Sequence, residues 1–289
     1  MIRNIRRFVA KLHGKNKIIF FLVLALICVV ALCLGIYIQF FYKYSETDPL
    51  MIGINLGSQK TAEEYAILES NFNNLFNNKL LINSENVKLE KIELEKELVY
   101  TGYNLVNEDE NYYSVNAQIP VLNINNNKAK EINTEIKTEF YDKANSIMRQ
   151  SEKNIIYKVT YAAFVNNDVL SIVIKSSLKE ENKSEKVSVK TYNYSISGEK
   201  LLSLKDLIDL KQTTIEVVQN TINDEIKTAY NNAKIIAEEY GNMYERDLNS
   251  SIYKVENAET FFLTQDGYVY IIYAYGNIDY TNEMDIIIF

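Results

Sequence analysis

Residues 155–196 read IIYKVTYAAFVNNDVLSIVIKSSLKEENKSEKVSVKTYNYSI, and their pattern decides the fold class. Three runs rich in Ile, Val, Thr and Tyr stand between polar breaks, the signature of half-buried strands. The first, Ile156-Tyr157-Lys158-Val159-Thr160-Tyr161, turns at Asn166-Asn167-Asp168 into Val169-Leu170-Ser171-Ile172-Val173-Ile174. The charged stretch Lys179 to Lys186 leads to the third run, Val187 to Ile196, which ends at Ser197-Gly198. Short polar turns between successive strands predict antiparallel pairing.

Outward from this block the period changes to that of helices. Downstream, Leu202 to Ile208 opens a short helix. A longer one spans about Thr213 to Tyr240, with Ile215, Val218, Ile222, Ile226, Ala229 and Ala233 in register. Upstream, Ala129, Ile132, Ile136, Phe140, Ala144 and Ile147 mark a helix from Asn127 to Gln150. Its charged residues, Lys130, Glu131, Glu135, Lys137, Glu139 and Lys143, read as the solvated face. Val87 to Val121 is extended, with Pro120 suited to a strand edge. Thr61-Ala62-Glu63-Glu64 has the capping-box pattern for a helix ending near Phe76. Near the end, Phe261 to Thr264 and Tyr268 to Tyr273 flank the hairpin turn Gln265-Asp266-Gly267, and Met284 to Phe289 suits a last strand. The expected fold is α+β: antiparallel sheets with packed long helices, preceded by one N-terminal transmembrane helix. The expected organisation is a basic tail (1–17), the transmembrane helix (18–42), a stalk and helix (43–85), and two α+β subdomains (86–150 and 151–289).

The transmembrane expectation rests on Ile18 to Ile38, which contains no charged side chain. About 20 apolar residues suffice to cross the hydrocarbon core as a helix. Arg3, Arg6, Arg7, Lys11, Lys15 and Lys17 precede the run with no acidic residue among them, which orients the N-terminus to the cytoplasm and the C-terminal part outside. The run is longer than the apolar region of a cleaved signal peptide and ends in bulky residues, so it reads as a retained single-pass anchor in the cell membrane. Of 31 Lys+Arg, six lie before the anchor, leaving 25 against 38 Asp+Glu beyond it. That excess of acid disfavours nucleic acid and favours cationic partners.

Composition also limits chemistry. Both cysteines, Cys28 and Cys33, lie inside the anchor, and the single histidine, His13, lies in the tail. Beyond the anchor there is then no imidazole or thiol for a Ser-His-Asp or Cys-His nucleophile, nor a Cys or His ligand for zinc. The phosphate-binding patterns G-x-G-x-x-G and G-x-x-x-x-G-K-[ST] do not occur. The expectation is a non-enzymatic chain with no cofactor and no metal. Paired-carboxylate hydrolysis of wall polymers stays open as an alternative, because Asp and Glu are plentiful.

Four segments together resemble a family. They are Tyr113 to Leu122, Tyr161 through Ile174, Tyr192 to Ile208 with its Gly198-x-x-Leu201-x-x-x-x-Asp206 core, and Phe262 to Tyr270. In order and spacing they resemble the outer domain of RsiV-type anti-sigma factors, shared with PdaC-type peptidoglycan deacetylases, over roughly residues 95–289. The resemblance implies a non-catalytic binding or sensing module of the bacterial cell envelope. Its implied partners are a cationic protein such as lysozyme, or peptidoglycan, outside, and a sigma factor inside.

Two candidate binding surfaces follow from the residues. Tyr268, Tyr270, Tyr273 and Tyr275 lie along one strand and are expected to share a face, where tyrosine suits an interface. Lys179, Glu180 and Glu181 open a charged loop expected at a hairpin tip.

Overall fold

The computed structural model describes residues 62–77, 80–83, 90–110, 112–149, 154–241 and 243–289. The basic tail, the anchor at 18–42, the stalk and the Thr61 cap lie outside the described residues. Among the described residues, no helix is long and apolar enough to cross a membrane.

The strands read from residues 155–196 are β4 (Ile155–Asn166), β5 (Val169–Glu180) and β6 (Lys186–Ser195). They pair antiparallel in sequence order, Ala162 opposite Val173 and Ile172 opposite Tyr192. Asn167 takes φ 51° at the first turn, a left-handed conformation that asparagine tolerates. Around this block the sheet grows to seven strands. β2 (Val99–Asp109) and β3 (Tyr113–Leu122) form a hairpin on one side, and β7 (Lys200–Leu201) closes the other.

Two pairings depart from the antiparallel expectation. β3 runs parallel to the first half of β4, Tyr113 to Ala117 opposite Ile155 to Val159. β1 (Leu80–Asn83) runs parallel to its second half, opposite Ala163 to Asn166. A 12-residue strand is long enough for two shorter ones to share its edge. The β3–β4 connection is a helical crossover, the route that parallel strands need. The sheet therefore continues across the boundary drawn at 150/151, and both segments belong to one compact unit, Pro49–Phe289.

The crossover is α2 (Asn127–Ile136), a π-helical turn (Lys137–Asp142) and α3 (Lys143–Met148) in succession. Asn126 caps α2, its side chain accepting from the Ala129 N–H at 2.9 Å. Ala129, Ile132, Ile136, Phe140, Ala144 and Ile147 pack against Val115, Ala117, Tyr157, Val159 and Tyr161 on one sheet face. Pro120 sits beside a bulge between Thr101 and Tyr103, where its missing N–H is tolerated. Gly102 forms that bulge, and a Cβ there would lie 2.1 Å from the Val121 side chain.

The opposite sheet face carries a second, three-stranded sheet: β8 (Phe261–Leu263), β9 (Val269–Ala274) and β10 (Met284–Ile288), in the order β10-β9-β8. Ala162, Phe164, Val173 and Val189 of the large sheet meet Phe262, Tyr270, Ile272 and Ile286 of the small one. Phe72, from α1 (Ala62–Asn74), joins this layer. Buried hydrogen bonds fix the two sheets together. Ser171 Oγ donates to Asn193 Oδ1 (2.7 Å) and accepts from the Leu263 N–H (3.0 Å), while Asn193 Nδ2 donates to the Phe261 carbonyl (2.7 Å).

A third core lies beyond the small sheet. Ile271, Tyr273, Tyr275 and Ile287 meet α4 (Leu204–Leu210) through Leu204, Leu207 and Ile208, and α5 (Ile215–Tyr240) through Val218, Ile222 and Ile226. The layers thus run helix, seven-stranded sheet, three-stranded sheet, helices. The segment that best carries the family resemblance makes the joint. Asp168 accepts from Ser195 Oγ (2.6 Å), the Ser197 N–H (2.7 Å) and Ser197 Oγ (2.9 Å). Ser203 and Asp206 then form a reciprocal cap that starts α4.

Candidate functional site

The four tyrosines expected to share a face do not. Tyr270 and Tyr273 are three residues apart, so strand alternation sends them to opposite sides. Tyr268 and Tyr270 pack between the two sheets, whereas Tyr273 and Tyr275 pack toward α4 and α5. Tyr270, Tyr273 and Tyr275 are buried. Burial of their large rings is what the two cores required, and it takes these three tyrosines away from any partner surface.

Lys179, Glu180 and Glu181 lie at the β5–β6 hairpin end, where Glu181 takes φ 44° and donates its N–H to the Asn154 carbonyl (3.1 Å). Lys179 Nζ donates to the Lys183 carbonyl. Glu180 is bonded by Tyr280 Oη (2.7 Å) and Lys183 Nζ (3.1 Å), and the Tyr280 bond first, then Lys183, holds its carboxyl below the usual range. The loop charges thus mostly satisfy one another.

A different charged cluster is deeply buried. Arg246 forms a two-pronged pair with Asp285, Nε to Oδ2 at 2.7 Å and Nη2 to Oδ1 at 2.8 Å. Tyr275 Oη donates to Asp285, and Tyr253 and Tyr275 share a hydrogen bond of 2.9 Å. The Tyr244 ring stacks on Tyr275 at 4.0 Å. Burial first, then Asp285, raises the Tyr275 phenol far above its ordinary range. Every charge here has its partner, so the cluster is a clasp between β10 and the segment after α5.

The helix–sheet boundary presents the opposite situation. A cleft of about 330 Å³ opens between the π turn and α3 on one side and β4, β5 and β6 on the other. Its lining includes Glu139, Lys143, Tyr157, Ser176, Lys186, Ser188, Lys190 and Glu259. Strand register explains the inner wall. Tyr157 faces Leu178, which faces Lys186; Val159 faces Ser176, which faces Ser188. The edge of β6 is closed by Asn277, which bonds both the N–H and the carbonyl of Val189 at 3.3 Å. Gly276 makes that approach feasible, since a Cβ there would lie 1.9 Å from the Val187 carbonyl oxygen.

Three lysines enter the cleft, but only one is neutralised. Lys190 Nζ lies 2.9 Å from Glu135 and 4.0 Å from Glu139. Desolvation opposes its charge, yet the Glu135 bond and Glu139 outweigh it and raise its affinity for the proton. Lys143 and Lys186 have no carboxylate within 4.0 Å among the described residues; their ammonium groups lie over rings instead, Tyr157 at 5.2 Å and Tyr280 at 5.9 Å. Lys143 borders the cleft from α3 and is itself exposed to solvent. Desolvation first, and the neighbouring Lys186 second, hold it below the usual lysine range against the pull of Glu139 and Glu180. Burial is the first cause that raises Glu139, and burial followed by Glu139 raises Tyr157.

Glu139 and Lys143 are exposed, as expected of a solvated helix face, but the cleft that they border was not read from the sequence. A signal for it existed. The inward register of β5 runs Leu170, Ile172, Ile174, Ser176, and that of β6 runs Lys186, Ser188, Lys190, Tyr192. Polar residues at positions that alternation assigns to the core mark a site, not a packed wall. Among the described residues, no group of three or more His, Cys, Asp or Glu is arranged to hold a metal.

No family model and no curated protein matches this sequence. Solved structures do show likeness. A DUF3298 family protein from Pseudomonas aeruginosa PAO1 is 14% identical, with 70% of this chain and 90% of that chain covered, at a TM-score of 0.39. A member of the DUF3298 family from Bacteroides fragilis NCTC 9343 is 13% identical, with 56% and 74% covered, at a TM-score of 0.26. These two solved structures are DUF3298 family proteins, and at these scores neither assigns this chain an activity.

Proposed function

We propose that this chain is a single-pass membrane protein whose part beyond the anchor is a binding module of the cell envelope, with the helix–sheet cleft as its ligand site. The observation that carries the reading is the cleft itself: polar and cationic groups without protein partners, mounted on a sheet and a helix that the core holds rigid. Sites built on such elements are pre-organised, and pockets of this size suit a small ligand or one end of a larger one. The module works by holding rather than by bond-making.

The test uses the full chain in detergent micelles. Purified peptidoglycan should retain it, and Ser188→Trp, which fills the cleft, should abolish retention. Retention unchanged by Ser188→Trp overturns the cleft as the site. A C-terminal tag should be cut by protease added to intact cells; a protected tag overturns the orientation.

A second reading draws on the acidic excess beyond the anchor, 38 Asp+Glu against 25 Lys+Arg. That surface favours a cationic protein such as lysozyme as partner. Capture of lysozyme that survives Ser188→Trp and fades with salt would assign it to the outer surface. A sigma factor co-purifying with residues 1–17 would add the anti-sigma role.

A further inference from the structure

We propose that the cleft receives a compact oxyanion, the carboxylate or phosphate group of a small ligand, between Lys143 and Lys186, with Ser176, Ser188 and Tyr157 as hydroxyl donors. The inference rests on the binding-module reading and names the group that the same site recognises.

Five donors from four elements converge on one cavity: Lys143 from α3, Tyr157 from β4, Ser176 from β5, and Lys186 and Ser188 from β6. Among the described residues, none of the five makes a side-chain hydrogen bond or ion pair. Ser176 is the sharpest case. It is only 8% exposed and occupies an inward position between Ile174 and Leu178, where an aliphatic side chain would extend the core. Among the described residues its hydroxyl makes no protein hydrogen bond, and it opens onto the cleft, where a ligand or water can reach it.

The lysines raise the same question. Two ammonium groups brought together on different elements repel each other, and a neutral residue at either position would remove the conflict. An oxyanion resolves it in one step. It accepts from both ammonium groups and the hydroxyls, and each charge-assisted bond is stronger than a neutral one. Water alone would satisfy the serines without requiring either lysine. Glu139 and Glu259 also line the cleft and add to the field at Lys190, whose ion pair is with Glu135, while Glu139 and Glu180 act on Lys143 from beyond ion-pair distance. Among the described residues, Lys143 and Lys186 are therefore the lysines of the cleft that make no ion pair with a carboxylate. The π turn that precedes Lys143 sets its angle of entry, and such turns recur at functional sites.

The experiment titrates the full chain, in micelles and with ¹³C-labelled lysine, separately with acetate, inorganic phosphate and the neutral acetamide. Acetate or phosphate should saturate a single site and move the Lys143 and Lys186 ε-carbon resonances, while acetamide leaves them in place. Acetate alone identifies a carboxylate as the group, and phosphate alone a phosphate. Lys143→Met and Lys186→Met should each weaken binding about tenfold or more, and Ser176→Ala by a smaller factor. Lys130→Met, on the outer face of α2, should change nothing. If neither anion moves the two resonances at millimolar concentrations, the proposal is overturned. Wall retention that Ser188→Trp still abolishes would then leave the binding-module reading standing without its anion. Because the wild-type titration needs no variant, misfolding of a mutant cannot mask the answer.

Discussion

The molecule holds two charged clusters, and they are treated in opposite ways. Around Arg246 and Asp285 every donor has an acceptor, the ion pair is two-pronged, and the side chains are only 6% and 5% exposed. Around Lys143 and Lys186 two cations and three hydroxyls line a cavity and, among the described residues, make no side-chain hydrogen bond or ion pair. A buried pair that is fully bonded ties a structure together; converging groups that no protein group bonds are available to a ligand. The contrast separates a clasp from a site by hydrogen-bond accounting alone.

The largest expected effect breaks the clasp. Arg246→Met leaves Asp285 buried without its cation, which should cost about 3–5 kcal/mol. Urea unfolding should show it, and Arg246→Met combined with Asp285→Leu should recover most of the loss. Equal destabilisation by the single and double variants would mean that the pair itself, not the stranded carboxylate, carries the energy. Ser171→Ala probes a second fully bonded group. It strips the Leu263 N–H and Asn193 of their shared partner, at about 1–3 kcal/mol. A loss well below that range would show that the sheets are held by Phe164, Phe262 and Tyr270 alone.

Alkaline pH tests burial of the phenols on both sides of the small sheet. Burial first of all pushes Tyr253 and Tyr270 up to about 12, against about 10 in the unfolded chain. A raised folded pKa means that this stabilisation is complete below about pH 10 and is lost as pH climbs toward 12. Each phenol should account for about 1.4 kcal/mol per pH unit in that window. Tyr270→Phe should therefore lose about 1 kcal/mol less than wild type between about pH 9 and pH 11. Parallel loss in both proteins would show that Tyr270 titrates normally.

Much of this architecture was legible, for reasons that differ by element. The turns at Asn166-Asn167-Asp168 and Gln265-Asp266-Gly267 were readable because left-handed backbone needs such residues; Asn167 and Gly267 do have positive φ. The helices at 127–148 and 215–240 were readable because each buries a continuous apolar stripe. The end-to-end seating of β1 and β3 on β4 was not, since nothing local in a strand names its lateral neighbour. The shared tyrosine face failed on arithmetic: an odd interval between Tyr270 and Tyr273 crosses the sheet. The cleft was hidden because its donors are scattered from Lys143 to Ser188, and each alone resembles an ordinary surface or strand residue. Only the register that sets Ser176 opposite Ser188, and Leu178 opposite Lys186, gathers them.

The smallest effect sharpens the contrast most. Lys143 has a folded pKa below its unfolded value, so its charge opposes folding at neutral pH, and that opposition is relieved as pH rises through the depressed pKa toward about 10. The group is partly open to water, which screens the effect. Lys143→Met should accordingly raise the unfolding midpoint by about one degree at neutral pH, where truncating a member of the Arg246 clasp lowers it sharply. The gain should shrink as pH rises through the depressed folded pKa and vanish above the unfolded value of about 10.4. Saturating acetate or phosphate should reverse the order, because an anion that binds only the folded wild type stabilises it by mass action while the variant has lost that linkage. A lysine that weakens the empty protein and strengthens the filled one is kept for its ligand. One whose removal destabilises under both conditions is merely another strut.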